Sequence, residues 1–146
     1  MVELNRKYLV EKLGENELIE STCIDLSNNQ IIKINSNAFK KLSNLKELSL
    51  RNNEITDIYS KAFESLSSLK MLFLFGNKLS RLETKTFKGL SQLEILELNR
   101  NQISEIDLKF FESLTNLREL FMEKNKLKRI DSSTFKGLSR LRVLSL

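Results

Sequence analysis

One pattern of apolar residues and asparagine returns every 24 positions along this chain, and that period constrains the fold more than any other feature. Leu45, Leu48, Leu50, Asn53, Ile55, Ile58, Phe63 and Leu66 recur as Leu69, Leu72, Leu74, Asn77, Leu79, Leu82, Phe87 and Leu90. The same positions then hold Leu93, Leu96, Leu98, Asn101, Ile103, Ile106, Phe111 and Leu114, and after them Leu117, Leu120, Met122, Asn125, Leu127, Ile130, Phe135 and Leu138. An earlier copy, weaker at its first position, runs Ser21, Ile24, Leu26, Asn29, Ile31, Ile34, Phe39 and Leu42. Units therefore start at 21, 45, 69, 93 and 117, and a truncated sixth starts at 141 with Leu141, Leu144 and Leu146. A repeat of this length cannot bury its own apolar face, so the units must stack into a solenoid. The expected organisation is a repeat domain over 21–146 preceded by a separate segment, 1–20.

Each unit opens Leu-x-x-Leu-x-Leu, whose alternation at its end suits a short strand. In-register stacking sets such strands about 4.8 Å apart in a parallel sheet. The column Asn29, Asn53, Asn77, Asn101 and Asn125 then lies inside the turn after each strand. There an amide can bond backbone groups of its own coil and the next. Phe39, Phe63, Phe87, Phe111 and Phe135 form a second column, an aromatic spine toward the opposite side.

Composition removes whole classes of chemistry. With no histidine and a single cysteine, Cys23, the chain has no Ser/His or Cys/His catalytic pair, no HExxH zinc site and no intrachain disulfide. Four unclustered glycines exclude a phosphate loop or a dinucleotide fingerprint, so no cofactor, metal or catalytic residue is expected. No run approaches the roughly 18 apolar residues of a membrane span, and the charged opening residues do not read as a signal peptide.

The pattern LxxLxLxxNxLxxLxxxxFxxLxx, present from Ser21 to Leu146, closely resembles the leucine-rich repeat family, and within it the 24-residue typical subfamily marked by the Phe. The resemblance implies an α/β fold: a right-handed horseshoe with a parallel sheet on its concave face and irregular or short helical convex segments. It also implies a role in binding other macromolecules, usually proteins. Members of that subfamily are usually extracellular and flanked by cysteine-rich caps, which leans toward a cell-surface or extracellular setting. Neither cap is present in this chain. Residues 1–20 are expected to form a partial cap or an amphipathic helix, with Leu9 and Leu13 on one face and Gly14 as a stop. The sixth copy breaks off within its strand, so the expectation is a fragment of a longer array.

Because strand side chains alternate, the variable positions of each unit face the concave surface. Most are polar, yet Met71, Phe73, Phe75, Ile95 and Phe121 cluster on three adjacent units where the repeat requires no apolar residue. β-propensity alone can place a Phe in a strand. A contiguous exposed patch of roughly 300 to 600 Å² is often a binding surface. Arg51, Lys70, Glu97, Arg100, Arg118, Glu123 and Lys124 surround it with mixed sign, which favours a protein partner of complementary charge.

Other readings of the face are weaker. The net charge of +5 suggests nucleic acid. On the face, however, Lys46, Arg51, Lys70, Arg100, Arg118, Lys124 and Arg142 are opposed by Asp25, Glu47, Glu94, Glu97, Glu119 and Glu123. A phosphate-tracking groove needs clustered positive charge. Glu97 near Glu123 or Glu94 is the sole hint of acid–base chemistry, on a face expected to be shallow. Cys23 reads as a half-buried small residue rather than a reactive thiol. The sequence thus points to a non-enzymatic protein-binding module, with structural spacer repeats of a larger receptor or matrix-type protein as the alternative.

Overall fold

The computed structural model describes residues 1–131 and 133–146. The described residues form strands β1 (Val2–Leu4), β2 (Cys23–Asp25), β3 (Ile31–Ile34), β4 (Glu47–Ser49), β5 (Asp57–Ile58), β6 (Met71–Phe73), β7 (Arg81–Leu82), β8 (Ile95–Glu97), β9 (Glu105–Ile106), β10 (Glu119–Phe121) and β11 (Val143–Ser145), of which β2, β4, β6, β8, β10 and β11 make one parallel sheet. Its order is β11-β10-β8-β6-β4-β2, so every strand lies beside those of the preceding and following units. The register repeats the period: Ile24 faces Leu48, Leu48 faces Leu72, Leu72 faces Leu96 and Leu96 faces Leu120. A one-residue slip would turn this leucine row to solvent, and the burial of the row holds the register.

Two internal ladders fasten coil to coil. Asn77 Nδ2 donates to the carbonyls of Leu50 at 2.9 Å and Leu74 at 3.1 Å, while its Oδ1 accepts from Ile55 N–H at 3.1 Å. Asn53 and Asn101 repeat those three bonds one coil to either side. Asn125 repeats them in the fifth coil. Each amide thus pairs buried backbone groups that the turn leaves without a partner. Asn29, at the start of the column, instead donates to Ser27 O and accepts from the Tyr8 hydroxyl.

On the far side of the core the phenylalanines stack, with ring centroids 5.8 Å apart for Phe39 and Phe63 and 5.6 Å for Phe63 and Phe87. The column then takes in a sixth ring. Phe110 is fully buried and lies edge-on at 4.8 Å to both Phe87 and Phe111. It occupies the position held by Ala38, Ala62, Thr86 and Thr134 in the other units, and here alone among the described residues the segment winds into a 3-10 helix, Phe110–Ser113.

The lateral flank is discontinuous. β1 (Val2–Leu4), β3 (Ile31–Ile34) and β5 (Asp57–Ile58) pair in one small parallel sheet, and β7 (Arg81–Leu82) pairs with β9 (Glu105–Ile106) in another. Between coils two and three the Ile58 carbonyl accepts from the Thr86 hydroxyl at 3.4 Å. In the adjoining coils the corresponding carbonyls, Ile34 O and Leu82 O, take the backbone N–H of Tyr59 and Asp107. The seam so opened is a groove of ≈ 550 Å³ reaching from Thr56 to Phe87. Below it Gly89, at φ +101, brings coil three against coil two, where an added Cβ would lie 2.8 Å from Glu64 Cα.

Residues 1–20 contain the helix expected there and more. α1 (Arg6–Leu13) starts at Asn5, whose side chain accepts from Tyr8 N–H, and stops at Gly14, φ 80. A second helix, α2 (Glu15–Glu20), and the strand β1 were not anticipated. Leu4, Leu9 and Leu18 are fully buried and join the core of the solenoid, while Leu13 packs against it half-buried.

Candidate functional site on the open face of the sheet

The leucine side of the six-stranded sheet faces the core, so the alternate residues stand on its other face. Met71 and Phe73 come from β6, Ile95 and Glu97 from β8, and Phe121 from β10. Met71 is in register with Ile95, and Glu97 is in register with both Phe73 and Phe121. Phe75 lies two residues beyond the end of β6. The five apolar residues singled out by the repeat therefore share one surface on three neighbouring coils.

That surface is less open than expected. All five side chains are half-buried, and none ranks with the exposed apolar residues Tyr59, Leu108 or Ile130. For Phe73 and Phe75 the cause is local cover. The Arg51 guanidinium lies 3.8 Å from the centre of the Phe73 ring, and its Nε pairs with Glu97 Oε2 at 2.8 Å. Arg51 thus reaches from coil two across coil three to coil four, a contact between residues 46 apart that repeat periodicity does not reveal. Phe75 is covered more loosely, with the Arg100 guanidinium 5.5 Å from its ring centre.

Glu94 and Glu123 are likewise engaged with neighbours. Glu94 sits between Lys70 at 3.1 Å and Arg118 at 3.3 Å. The hydrogen bond from Lys70, with the charge of Arg118, holds its carboxyl below the ordinary range. That is opposite to the shift a general acid requires. Glu123 accepts from Asn99 Nδ2 through one oxygen and from the Ser145 hydroxyl through the other. Glu97, Glu94 and Glu123 therefore do not converge on a shared proton, and the ≈ 550 Å³ groove lies on the lateral flank, away from them.

Cys23 corrects an expectation. It is exposed rather than half-buried, because β2 is an edge strand and position 23 faces outward. What burial remains raises its thiol pKa, and the charges of Glu47 and Asp25 add to that. The thiolate, the reactive form, is thereby suppressed. Among the described residues no group of three His, Cys, Asp or Glu could hold a metal ion, and no helix is long and apolar enough to cross a membrane.

An array of short parallel strands with fixed buried letters and variable outward ones defines a class of protein, the solenoid with one patterned face. Residues 22–79 and 76–127 match the model of the leucine rich repeat family, and the chain belongs to that family. Among solved structures, a chain in the crystal structure of a TLR13–ssRNA13 complex is 36% identical with a TM-score of 0.67; the match covers 69% of this chain and 14% of that one. A chain in the structure of the Toll–Spätzle complex of Drosophila is 26% identical with a TM-score of 0.78, covering 83% of this chain and 18% of that one. The present chain thus spans less than a fifth of either. No curated protein matches its sequence.

Proposed function

We propose that the chain is a non-enzymatic module that binds a protein partner on the concave face of its solenoid, around coils three to five. The observation that carries this reading is the grouping of Met71, Phe73, Ile95 and Phe121 in the register of three adjacent strands, with Phe75 two residues past the end of β6. Half-buried aromatic side chains flanked by arginine have the composition of interface hot spots. Burying about 400 Å² of apolar surface yields on the order of 10 kcal/mol gross. Association costs of about 4 to 15 kcal/mol absorb much of that, so the surrounding charges must contribute. Among the neighbours, one was solved in a complex with Spätzle and the other with ssRNA13. Both are consistent with a family whose members bind partners.

The alternative is a spacer: internal coils of a larger receptor or matrix-type protein whose contacts lie elsewhere. The cover of Phe73 by Arg51 favours it, since an aromatic satisfied within its own fold needs no partner. The discriminating variant is Phe73→Ser with Phe121→Ser, because Ser49 and Ser145 occupy the same column in other coils. Glutamate would be a poorer choice, placing like charges directly across from Glu97. The binding reading expects at least roughly 30-fold weaker affinity for a purified partner, with the folded signal retained. Unchanged affinity would favour the spacer.

A further inference from the structure

Four cations on the outward face form no salt bridge among the described residues: Lys46, Arg100, Lys124 and Arg142. Lys46 and Arg142 stand four coils apart in their column, whereas Arg100 and Lys124 are on adjacent coils. The Arg100 N–H bonds Glu123 O at 2.9 Å, which sets the two side chains on adjacent coils, both exposed. Glu123 is next in sequence to Lys124, but both its oxygens are taken by Asn99 and Ser145. Those donors are neutral, so Glu123 keeps its charge, and Arg100, Lys124 and Glu123 together carry one net positive charge.

The backbone at these two positions is left-handed. The column through Asn28, Asn52, Gly76, Arg100 and Lys124 is left-handed throughout, with φ of 60, 53, 68, 54 and 57. Asparagine and glycine tolerate that region, and three coils use them. In the other two coils the position carries a long cation instead, in the left-handed region that Lys41 and Lys61 also adopt elsewhere in the fold. The space beside Gly76 is filled by the Asn52 side chain, and the Arg100 guanidinium lies 5.5 Å from the centre of the Phe75 ring. The exposed cation pair therefore borders Phe75, and Phe121 lies three residues before Lys124 on the same coil.

We propose that Arg100 and Lys124 form an anion clamp for the partner, which presents an aspartate or glutamate side chain next to an apolar residue. The carboxylate sits between the guanidinium and the ammonium while the apolar residue covers Phe75 and Phe121. This deepens the concave-face reading and rests on it. A nucleic acid fits less well: Arg51, Lys70 and Arg118 are already paired, and Glu97, Glu119 and Glu123 interrupt any phosphate track.

The test uses a phage-displayed library of random peptides selected against the full chain, followed by affinities of the synthesised winners. Expected are sequences with Asp or Glu beside an apolar residue, whose affinity falls with added salt. Arg100→Asn with Lys124→Asn should weaken them about tenfold or more, and Phe73→Ser with Phe121→Ser should weaken them too. If the serine variant loses binding while the asparagine variant retains it, or if the winners carry no acid, the clamp is overturned and the concave-face reading stands. If neither variant changes affinity, or no sequence is enriched, both are overturned. Displacement of the winners by an oligouridine RNA that binds more tightly than they do would replace the clamp with a nucleic-acid site.

Discussion

Two residue columns show how differently the same repeat position can be used. Asn77 connects three backbone groups across two coils, so Asn77→Ala strands buried carbonyls and an N–H at once. Loss of about 2 to 4 kcal/mol is expected by denaturant titration. Asn29→Ala, at the half-buried end of the column, should cost about 1 kcal/mol. The left-handed column predicts the reverse sign. Arg100→Asn and Lys124→Asn relieve strain that Asn28 and Asn52 do not suffer, and each should gain roughly 0.5 to 1 kcal/mol, about 2 to 4 °C in Tm. A melt that shows no gain would mean the positions are unstrained.

At the scale of elements, coil boundaries were legible because the apolar letters are invariant in spacing: each strand of the large sheet lies where Leu-x-x-Leu-x-Leu placed it. The Asn and Phe columns were legible for the same reason. The Arg51 bridge was not, since a variable side chain spanning two coils leaves no periodic trace. Nor was the broken flank, although a signal existed in a longer period. TFKGLS at Thr86–Ser91 returns at Thr134–Ser139, and FESL at Phe63–Leu66 returns at Phe111–Leu114, both shifted by two units. Coils two to five therefore alternate in kind, and Gly89 and Gly137 both press against the coil before them. The open seam between coils two and three leaves the Ser80 and Glu83 amides without the ladder bonds that Ser104 and Asp107 make. By hydrogen exchange, Ser80 and Glu83 should be at least about tenfold faster. Thr86→Ala, which matches Ala38 and Ala62, frees the Ile58 carbonyl and should slow the Glu83 amide.

Over the whole molecule, electrostatics set a simple pH response. Asp25, Glu54, Glu94 and Asp107 all titrate below their ordinary range, held there chiefly by Ser27, Lys78, Lys70 and the Thr84 N–H respectively. A lowered folded pKa adds stability above the unfolded value, and that stability is lost as pH falls through the folded one. With no histidine, Tm should hold steady from about pH 8 to 5 and decline below about pH 4. Asp107→Asn should shrink that decline. The alternation of coils also gives the array a parity. Phe110 can enter the spine because its neighbours in that column are the smaller Thr86 and Thr134. Such an array lengthens in pairs: a second copy of residues 69–116 inserted after 116 keeps large beside small, and Tm should be kept or raised. A second copy of 93–116 alone sets one Phe110 against another, and the melt should fall. The growth unit of this solenoid is then two coils, although its visible sequence repeat is one.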